Sequence, residues 1–215
     1  MNDNKTSKIS FVIKFAVPVS FLILFFLAAN FTGCDPMTFW KRRSHLTDLV
    51  VDMIPPDFSY IQKILLPLFY TIQMSVTGTV LGTFFALVLS PFGAANLGFP
   101  AVIRRILRIA IQILRSFPAL ILALTATFLF GLGTFAGTFA ITLYTFAIMT
   151  KLTYEDASAA DVKAYQALRA MGVSKYVAYV HGILPEIIPG FLTNALYLLE
   201  TNVRHSSILG YVGAG

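Results

Sequence analysis

Charged side chains are scarce in this chain, and their scarcity excludes an ordinary soluble domain. Asp, Glu, Lys and Arg make up 12% of the 215 residues, whereas hydrophobic residues make up 57%. The mean hydropathy is +0.76. Soluble domains carry about 25% charged residues. The composition therefore indicates a protein that crosses a membrane several times.

Cysteine is nearly absent, and the common catalytic motifs are missing. The single Cys34 excludes an internal disulfide and a thiolate metal cluster. Neither GxxxxGK[ST] nor HExxH occurs, so the chain has no P-loop for ATP hydrolysis and no zincin site. The three histidines are too widely separated to indicate a metal site, and the 20 Phe lie in apolar runs rather than in a nucleic-acid-binding surface. We expect no enzyme activity and no cofactor in this chain, so that a partner supplies the energy.

The first apolar run predicts a membrane span near the N-terminus. Residues 1–14 are polar and contain three lysines, and the twenty residues from Phe15 to Cys34 are uncharged. That length crosses a hydrocarbon core of about 30 Å. A cleaved secretory or lipoprotein signal is the alternative. Because Phe31 and Thr32 fit such a cleavage site poorly, a retained span is preferred.

Residues 35–63 form the least apolar block and predict an extracytoplasmic excursion. The Pro55-Pro56 pair breaks any long helix. One amphipathic helix is expected around Leu46 to Ile54. This segment is either a docking surface for a substrate-delivering protein or a solvated connector, and the residues alone favour the connector.

Ile64 to Ile103 contains no charge and predicts one helix from about Leu65 to Leu89, followed by a turn at residues 90–93. The helix is rich in small residues, and Gly78 and Gly82 form a GxxxG pattern that permits close helix packing in lipid. A packing interface and a substrate groove both fit this face, and the interface is preferred.

Residues 100–116 predict an amphipathic helix. Its polar positions recur at helical spacing opposite an apolar face, at Arg104, Arg108, Gln112 and Arg115. A basic stripe of this kind is typical of a helix that enters from the anionic cytoplasmic leaflet. Arg115 either extends to the lipid headgroups, which is preferred, or points into a pathway and meets an anion.

The uncharged stretch from Ser116 to Thr150 predicts two more helices around a tight external turn at residues 131–137. The upstream helix is expected to start near Ile109, with Pro118 kinking its entry into the membrane. Each helix is short for a span, so Arg115 and Lys151 are expected at the membrane boundary.

The stretch from Ala157 to Pro189 holds much of the polar chemistry of the C-terminal half. Ala157 to Met171 is rich in helix formers and free of Pro, so it predicts a helix, and its apolar positions fall on one face. Gly172 is well placed to end this helix, and Ser174 can cap a second one. The pattern predicts an elbow at the membrane surface.

The spacing of this elbow resembles the cytoplasmic coupling loop of ABC importer permeases. The family pattern is Glu-Ala-Ala, three residues, Gly, nine residues, Ile, any residue, Leu, Pro. The corresponding residues here are Gln166, Ala167, Leu168, Gly172, Gly182, Leu184 and Pro185. Three depart from the pattern, since Gln166 replaces Glu, Leu168 replaces the second Ala and Gly182 replaces Ile. Residues 54–59, 131–137 and 196–215 further resemble phosphonate permeases, so the resemblance spans residues 54–215.

The resemblance implies the fold, the partners and the coupling residues. It implies an all-α integral membrane protein, a polytopic bundle of about five spans. Two permease copies would form the pathway, with a cytoplasmic ABC ATPase that binds ATP and Mg on one side and an extracytoplasmic substrate-binding protein on the other. The first elbow helix would insert into a cleft of the ATPase; a solvated loop is the alternative. The implied coupling residues are Gln166, Ala167, Arg169, Gly172, Leu184 and Pro185.

The distribution of Lys and Arg predicts the orientation in a bacterial inner membrane. Five spans place eleven of these residues on the side of the N-terminus and the elbow, and five on the other side. The positive-inside rule then assigns the N-terminus and the elbow to the cytoplasm. The expected organisation is a cytoplasmic tail (1–14), a first span with its excursion (15–63) and a permease domain (64–215) with the coupling loop at 152–182. Since phosphonate permeases usually continue beyond the Gly-Ala-Gly, one further C-terminal span is expected to be absent and the chain truncated.

Polar residues close the last predicted span, which runs from about Val180 to Thr201. Glu200 and Arg204 are four residues apart, so a salt bridge across one helical turn is the preferred interpretation. Alternatively Arg204, alone or with Arg115, faces the translocation cavity and binds phosphonate oxygens through its planar fork. The candidate pathway residues are Arg115, Glu200, Asn202 and Arg204.

These expectations amount to a permease subunit that imports phosphonate, or a related small phosphorus oxyanion, by alternating access. Two alternatives stay open. The same architecture fits another small anionic solute, and a non-transporting scaffold or truncated pseudo-permease fits the missing last span. No set of residues discriminates between these cargoes.

Overall fold

The computed structural model describes residues 3–33 and 36–210, and the regular elements in these ranges are all helices. Cys34 and the last five residues of the chain lie outside the described residues. The chain divides into two compact units, residues 1–58 and 59–215. The predicted all-α membrane fold is confirmed.

The N-terminal unit consists of α1 (Asp3–Phe31), α2 (Pro36–Lys41) and α3 (Arg43–Asp52). Within α1, residues 14–31 are long and apolar enough to cross a membrane. The predicted first helix is therefore present, although the end assigned to it at Cys34 is not described. Helix α3 matches the amphipathic helix predicted around residues 46–54 and begins three residues earlier.

The second unit contains seven helices among the described residues. They are α4 (Ile61–Gly93), α5 (Ala101–Arg115), α6 (Ala119–Phe130), α7 (Thr134–Ala159), α8 (Lys163–Ala170), α9 (Lys175–Gly182) and α10 (Leu184–Leu209). In the described chain α1, α4 and α7 are each long and apolar enough to span a membrane, and the number is five if each of the bent pairs α5–α6 and α9–α10 is one span. This upper number agrees with the predicted five spans.

Helices α4 and α7 pack through the small residues of the predicted GxxxG interface. A Cβ added to Gly78 would lie 2.7 Å from Ile141 Cγ2, and one added to Gly82 would lie 2.8 Å from the carbonyl oxygen of Thr142. A Cβ atom and a non-bonded heavy atom do not approach to less than 3.0 Å, so only glycine allows α4 and α7 to lie this close together. Ile141 belongs to a buried cluster with Met74, Ala123, Ala126, Ala136, Ala140 and Leu209. The interpretation of this face as a packing interface is confirmed.

The turn predicted after Leu89 is wrong, because α4 continues to Gly93. Pro91 lacks an N–H group and leaves the Leu87 carbonyl without its helical donor. The Ser90 hydroxyl donates to that carbonyl oxygen instead, at 3.1 Å. This side-chain bond replaces the missing backbone donor, and α4 continues for two residues beyond Pro91.

The amphipathic helix predicted over residues 100–116 is confirmed as α5, but the further helix predicted from near Ile109 is wrong, since α5 and α6 are separate and bent by 91°. The Ser116 hydroxyl donates to the Ile113 carbonyl oxygen at 2.7 Å and closes α5. Pro118 then disfavours helical backbone at the residue before it, and α6 begins only afterwards.

The helix predicted over Ala157–Met171 is broken. Helix α7 ends at Ala159, Ala160 is extended, and α8 begins at Lys163. The Asp161 carboxylate accepts the Lys163 backbone N–H at 2.9 Å, a local bond that competes with continuation of the helix. The last predicted span differs as well, because α9 and α10 meet at Ile183 with a bend of 69° and α10 continues to Leu209.

Candidate functional site

The predicted elbow is present as α8, a tight turn and α9. Gly172 has φ +87°, a backbone conformation that other residues rarely adopt. Its N–H donates to the Arg169 carbonyl oxygen at 3.1 Å, and the Val173 N–H donates to that of Leu168 at 3.2 Å. These two bonds form a Schellman motif, which satisfies the last carbonyls of α8. The Ser174 hydroxyl accepts the Val177 N–H at 3.4 Å and caps α9, as predicted.

Side-chain hydrogen bonds stiffen both ends of α8. The Arg169 guanidinium donates to the Val173 carbonyl oxygen across the turn. At the other end, the Asp161 carboxylate accepts the Lys163 N–H and pairs with the Lys163 ammonium at 3.1 Å. The backbone hydrogen bond, with the smaller contribution of the ammonium, lowers the pKa of Asp161 below its usual value, so this carboxylate is ionised at neutral pH. The elbow therefore behaves as a preorganised unit rather than a loose loop.

The inner face of the elbow is buried against the loop between α4 and α5. The Tyr165 hydroxyl donates to the Leu97 carbonyl oxygen at 2.6 Å. The Lys175 ammonium donates to the Gly98 carbonyl oxygen. Burial raises the pKa of Tyr165 above its ordinary value, so the hydroxyl remains a donor. The surrounding buried cluster contains Ala94, Leu97, Ala157, Tyr165, Ala178, Tyr179, Ile183 and Ile187.

Gly182 shows why this chain departs from the family pattern at that position. A Cβ on Gly182 would lie 2.8 Å from the backbone nitrogen of Tyr165 and 2.9 Å from its Cα. The start of α8 thus touches the end of α9 directly, and a side chain as large as Ile cannot occupy the same place. The sequence shows Gly182 only as a departure from the pattern, because the contact joins residues seventeen positions apart.

The predicted coupling residues, which lie in the elbow and at the start of α10, differ in their exposure. Gln166, Ala167, Gly172 and Pro185 are exposed, whereas Arg169 and Leu184 are half-buried. Met171, beside the turn, exposes 77% of its surface. Met171 is absent from the predicted coupling residues, although a large apolar residue next to the turn glycine was a usable signal.

The candidate pathway residues are not grouped in one place. Glu200 and Arg204 form an exposed ion pair on α10 with 2.7 Å between nitrogen and oxygen, as the helical spacing predicted. Asn202 is buried, and its amide nitrogen donates to the hydroxyls of Thr79 and Thr145, each at 2.8 Å. Asn202 thus joins α4, α7 and α10. Arg115 ends α5 and lines a separate cleft beside α7.

An acidic groove of about 470 Å³ lies next to the elbow, between the end of α7 and the start of α10. Its polar lining comes from Asp156, Glu186, Thr193 and Asn194. The Glu186 carboxylate accepts the Asp161 N–H at 3.3 Å, which connects the groove to the break before α8. The sequence does not predict that Glu186 and Asp156 lie together, since the two residues are thirty positions apart.

The chain is similar to known membrane transport components. Residues 78–215 match the family described as binding-protein-dependent transport system inner membrane component. The phosphite transport system permease protein PtxC of Stutzerimonas stutzeri is 30% identical over 190 residues, which cover 88% of this chain and 69% of that protein. The phosphate-import permease protein PhnE of Mycolicibacterium smegmatis is 26% identical over 171 residues, which cover 80% of this chain and 32% of that protein.

A solved structure shows the same fold. The inward-facing MetNI methionine ABC transporter superimposes with a TM-score of 0.66 at 21% identity, over 74% of this chain and 78% of that chain. At this identity the likeness concerns the helical architecture alone. It agrees with the all-α bundle built above from the helix boundaries.

Proposed function

We propose that this chain, which belongs to the family of binding-protein-dependent transport system inner membrane components, imports a small phosphorus oxyanion as the membrane-spanning subunit of an ABC importer. Family membership makes the chain an ABC importer permease. The proposed cargo is phosphite or phosphonate, and phosphate is the nearest rival. Its support is the similarity to a relative named for phosphite transport.

The observation that carries a coupled transport function is the two-sided elbow. Its exposed side presents Gln166, Ala167 and Met171, and its buried side holds Tyr165 against Leu97. A force that a partner protein applies to the exposed side of α8 would therefore reach the α4–α5 loop through this hydrogen bond and the buried cluster around Tyr165. We propose that a separate ATPase subunit, which binds ATP and Mg, supplies this force on α8.

The proposed mechanism is alternating access between two copies of the chain. A substrate-binding protein delivers the oxyanion from outside, and ATP binding and hydrolysis move the elbow, so that the cavity between the copies opens to each side in turn. In this proposal Arg204, Arg115, Glu200 and Asn202 lie along or beside the pathway. An arginine suits the cargo because its planar fork donates two parallel hydrogen bonds to a phosphorus oxyanion.

The proposed orientation places the N-terminus and the elbow in the cytoplasm of a bacterial inner membrane. Cationic side chains mark the elbow and its surroundings, at Lys151, Lys163, Arg169 and Lys175. Positive charge accumulates on cytoplasmic loops. Attachment of a membrane-impermeant reagent to a cysteine introduced at Gln166 tests this side. Labelling of intact cells from outside would contradict the orientation and the coupling role together.

Reconstitution tests the function directly. The chain, its ATPase and its binding protein are placed in proteoliposomes, and uptake of phosphite, methylphosphonate and phosphate is measured with and without ATP. We expect ATP-dependent uptake and hydrolysis stimulated by the loaded binding protein. ATPase binding without uptake of any of the three anions would instead favour a scaffold.

A further inference from the structure

Helix α5 turns its arginine face toward the protein and its apolar face outward. At 100° per residue, Arg104, Arg108 and Arg115 lie within about 40° of one another around the helix. On the other side Val102, Ile106, Ile109 and Ile113 are exposed by 69, 63, 52 and 57%. The basic face therefore meets α4 and α7, and the apolar face is free to meet lipid.

Two of these arginines already bind protein groups. Arg104 donates to the Ala95 carbonyl oxygen at 3.3 Å, and Arg108 donates to that of Gly93 at 2.9 Å. The Arg108 guanidinium also lies over the Tyr154 ring, 4.9 Å from its centroid. These bonds hold α5 against the end of α4, where carbonyl groups attract cations.

Arg115 differs from its two neighbours on this face. Within the described residues it makes no hydrogen bond and no ion pair, although it lines a cleft of about 290 Å³ between α5 and α7. The other polar lining residues are Arg108, Gln112, Lys151, Tyr154 and Glu155. Three cations and one carboxylate leave a net charge of +2. The Lys151–Glu155 ion pair, at 3.4 Å, accounts for the only anion in the lining.

The charge, the donors and the size of this cleft point to one chemical class of ligand. Its volume lies at the lower limit of small-molecule sites, about 300 Å³, so it suits a compact group rather than a nucleotide. The guanidinium of Arg115 can donate two parallel bonds to an oxyanion, and Gln112 and Lys151 can add further donors. A tetrahedral phosphorus oxyanion satisfies these groups.

We propose that the α5–α7 cleft binds a phosphorus oxyanion, with Arg115 as its principal ligand. The group comes either from the headgroup of an anionic phospholipid, which the exposed apolar face of α5 brings close, or from a free anion such as phosphite. Only the second source rests on the proposed function. Binding would hold α5 against α7 and so fix the bend between α5 and α6.

Two binding measurements on the full-length chain separate the sources. In nanodiscs of phosphatidylcholine alone, equilibrium dialysis measures binding of labelled phosphite. In nanodiscs that also contain phosphatidylglycerol, native mass spectrometry measures retention of that lipid relative to phosphatidylcholine. We expect at least one probe to bind, and Arg115→Gln and Lys151→Gln each to weaken it about tenfold.

Arg105→Gln is the matched control, because Arg105 is exposed on the same helix and does not line the cleft. It should leave binding within about twofold of wild type. Failure of both probes to bind wild type, or equal weakening by Arg105→Gln, would overturn the site. Failure of Arg115→Gln and Lys151→Gln to weaken binding would overturn it too. Uptake by the wild-type chain in proteoliposomes is measured separately. If the chain transports phosphite but binds neither probe, the cleft proposal fails and the proposed transport function stands.

Discussion

The hydroxyl of Tyr165 and the carbonyl oxygen of Leu97 are 2.6 Å apart, and their hydrogen bond joins the elbow to a loop 68 residues earlier in the chain. Both residues are buried. Because the loop connects α4 to α5, a displacement of α8 cannot leave these two helices unaffected. Together with the hydrogen bond from Lys175 to the Gly98 carbonyl oxygen, this bond links the elbow to the loop between two membrane helices.

Tyr165→Phe removes the hydroxyl, so the buried Leu97 carbonyl oxygen loses this hydrogen-bond donor. We expect a loss of about 1–3 kcal/mol in stability, together with less uptake per ATP hydrolysed. Thermal unfolding of the purified chain and the ratio of uptake to hydrolysis in proteoliposomes measure the two effects. Tyr176→Phe on α9 is the control, because Tyr176 is partly exposed. Equal stability and an equal ratio of uptake to hydrolysis in the two variants would show that the Tyr165–Leu97 bond contributes to neither.

Gly182→Ala should destabilise the elbow by about 1–3 kcal/mol, since the new Cβ collides with the Tyr165 backbone. Gly190→Ala should instead leave the stability unchanged or raise it. A Cβ there meets no atom within 4 Å, and Ala is favoured over Gly in a helix by up to about 1 kcal/mol. Thermal unfolding of both variants is the measurement, and similar stability of the two would contradict the close contact between α8 and α9.

Gly172→Ala tests the turn without a steric clash, because a Cβ at Gly172 also meets no atom within 4 Å. The cost is the left-handed backbone alone, about 1–2 kcal/mol. We expect ATP hydrolysis to persist while uptake falls. Gly172→Asn should lose less stability and less uptake than Gly172→Ala, since Asn tolerates the left-handed backbone better. Uptake by Gly172→Ala at the wild-type rate would remove the turn from the coupling mechanism.

Asn202 should tolerate an apolar replacement better than a charged one. Asn202→Leu loses two hydrogen bonds but also removes a buried carbonyl oxygen that has no partner among the described residues, so we expect a loss of about 1 kcal/mol. Asn202→Asp places a carboxylate in a buried position without a cationic partner among the described residues, and it should cost several kcal/mol at neutral pH. Thermal unfolding distinguishes the two variants, and Ser207→Ala on the exposed side of α10 is the control. An Asp variant as stable as wild type would contradict the buried position.

Arg204→Gln separates a structural role from a transport role. The Glu200–Arg204 pair is exposed, so its loss should change stability by less than about 1 kcal/mol. A clear fall in oxyanion uptake at unchanged stability would support a place in the pathway. If the variant takes up phosphite at the wild-type rate, Arg204 acts only in the ion pair.

Local features of the elbow could be predicted from the sequence because they depend on neighbouring residues. The turn at Gly172 requires a glycine, and the cap at Ser174 needs a hydroxyl three residues before its donor. The apolar runs likewise predicted the membrane helices, since a span of about 20 residues is set by bilayer thickness. The break at Asp161, which depends on a single competing hydrogen bond, was missed.

Composition, periodicity and turn chemistry act over a few residues, so they were enough to predict a polytopic helical membrane protein with an elbow after α7. The folded chain alone showed that Gly182 touches the Tyr165 backbone, that Asn202 on α10 binds hydroxyls of α4 and α7, and that Arg104 and Arg108 bind carbonyl oxygens at the end of α4. Each of these arises where distant segments meet, and the energy of such a contact depends on a separation in space that no local pattern records.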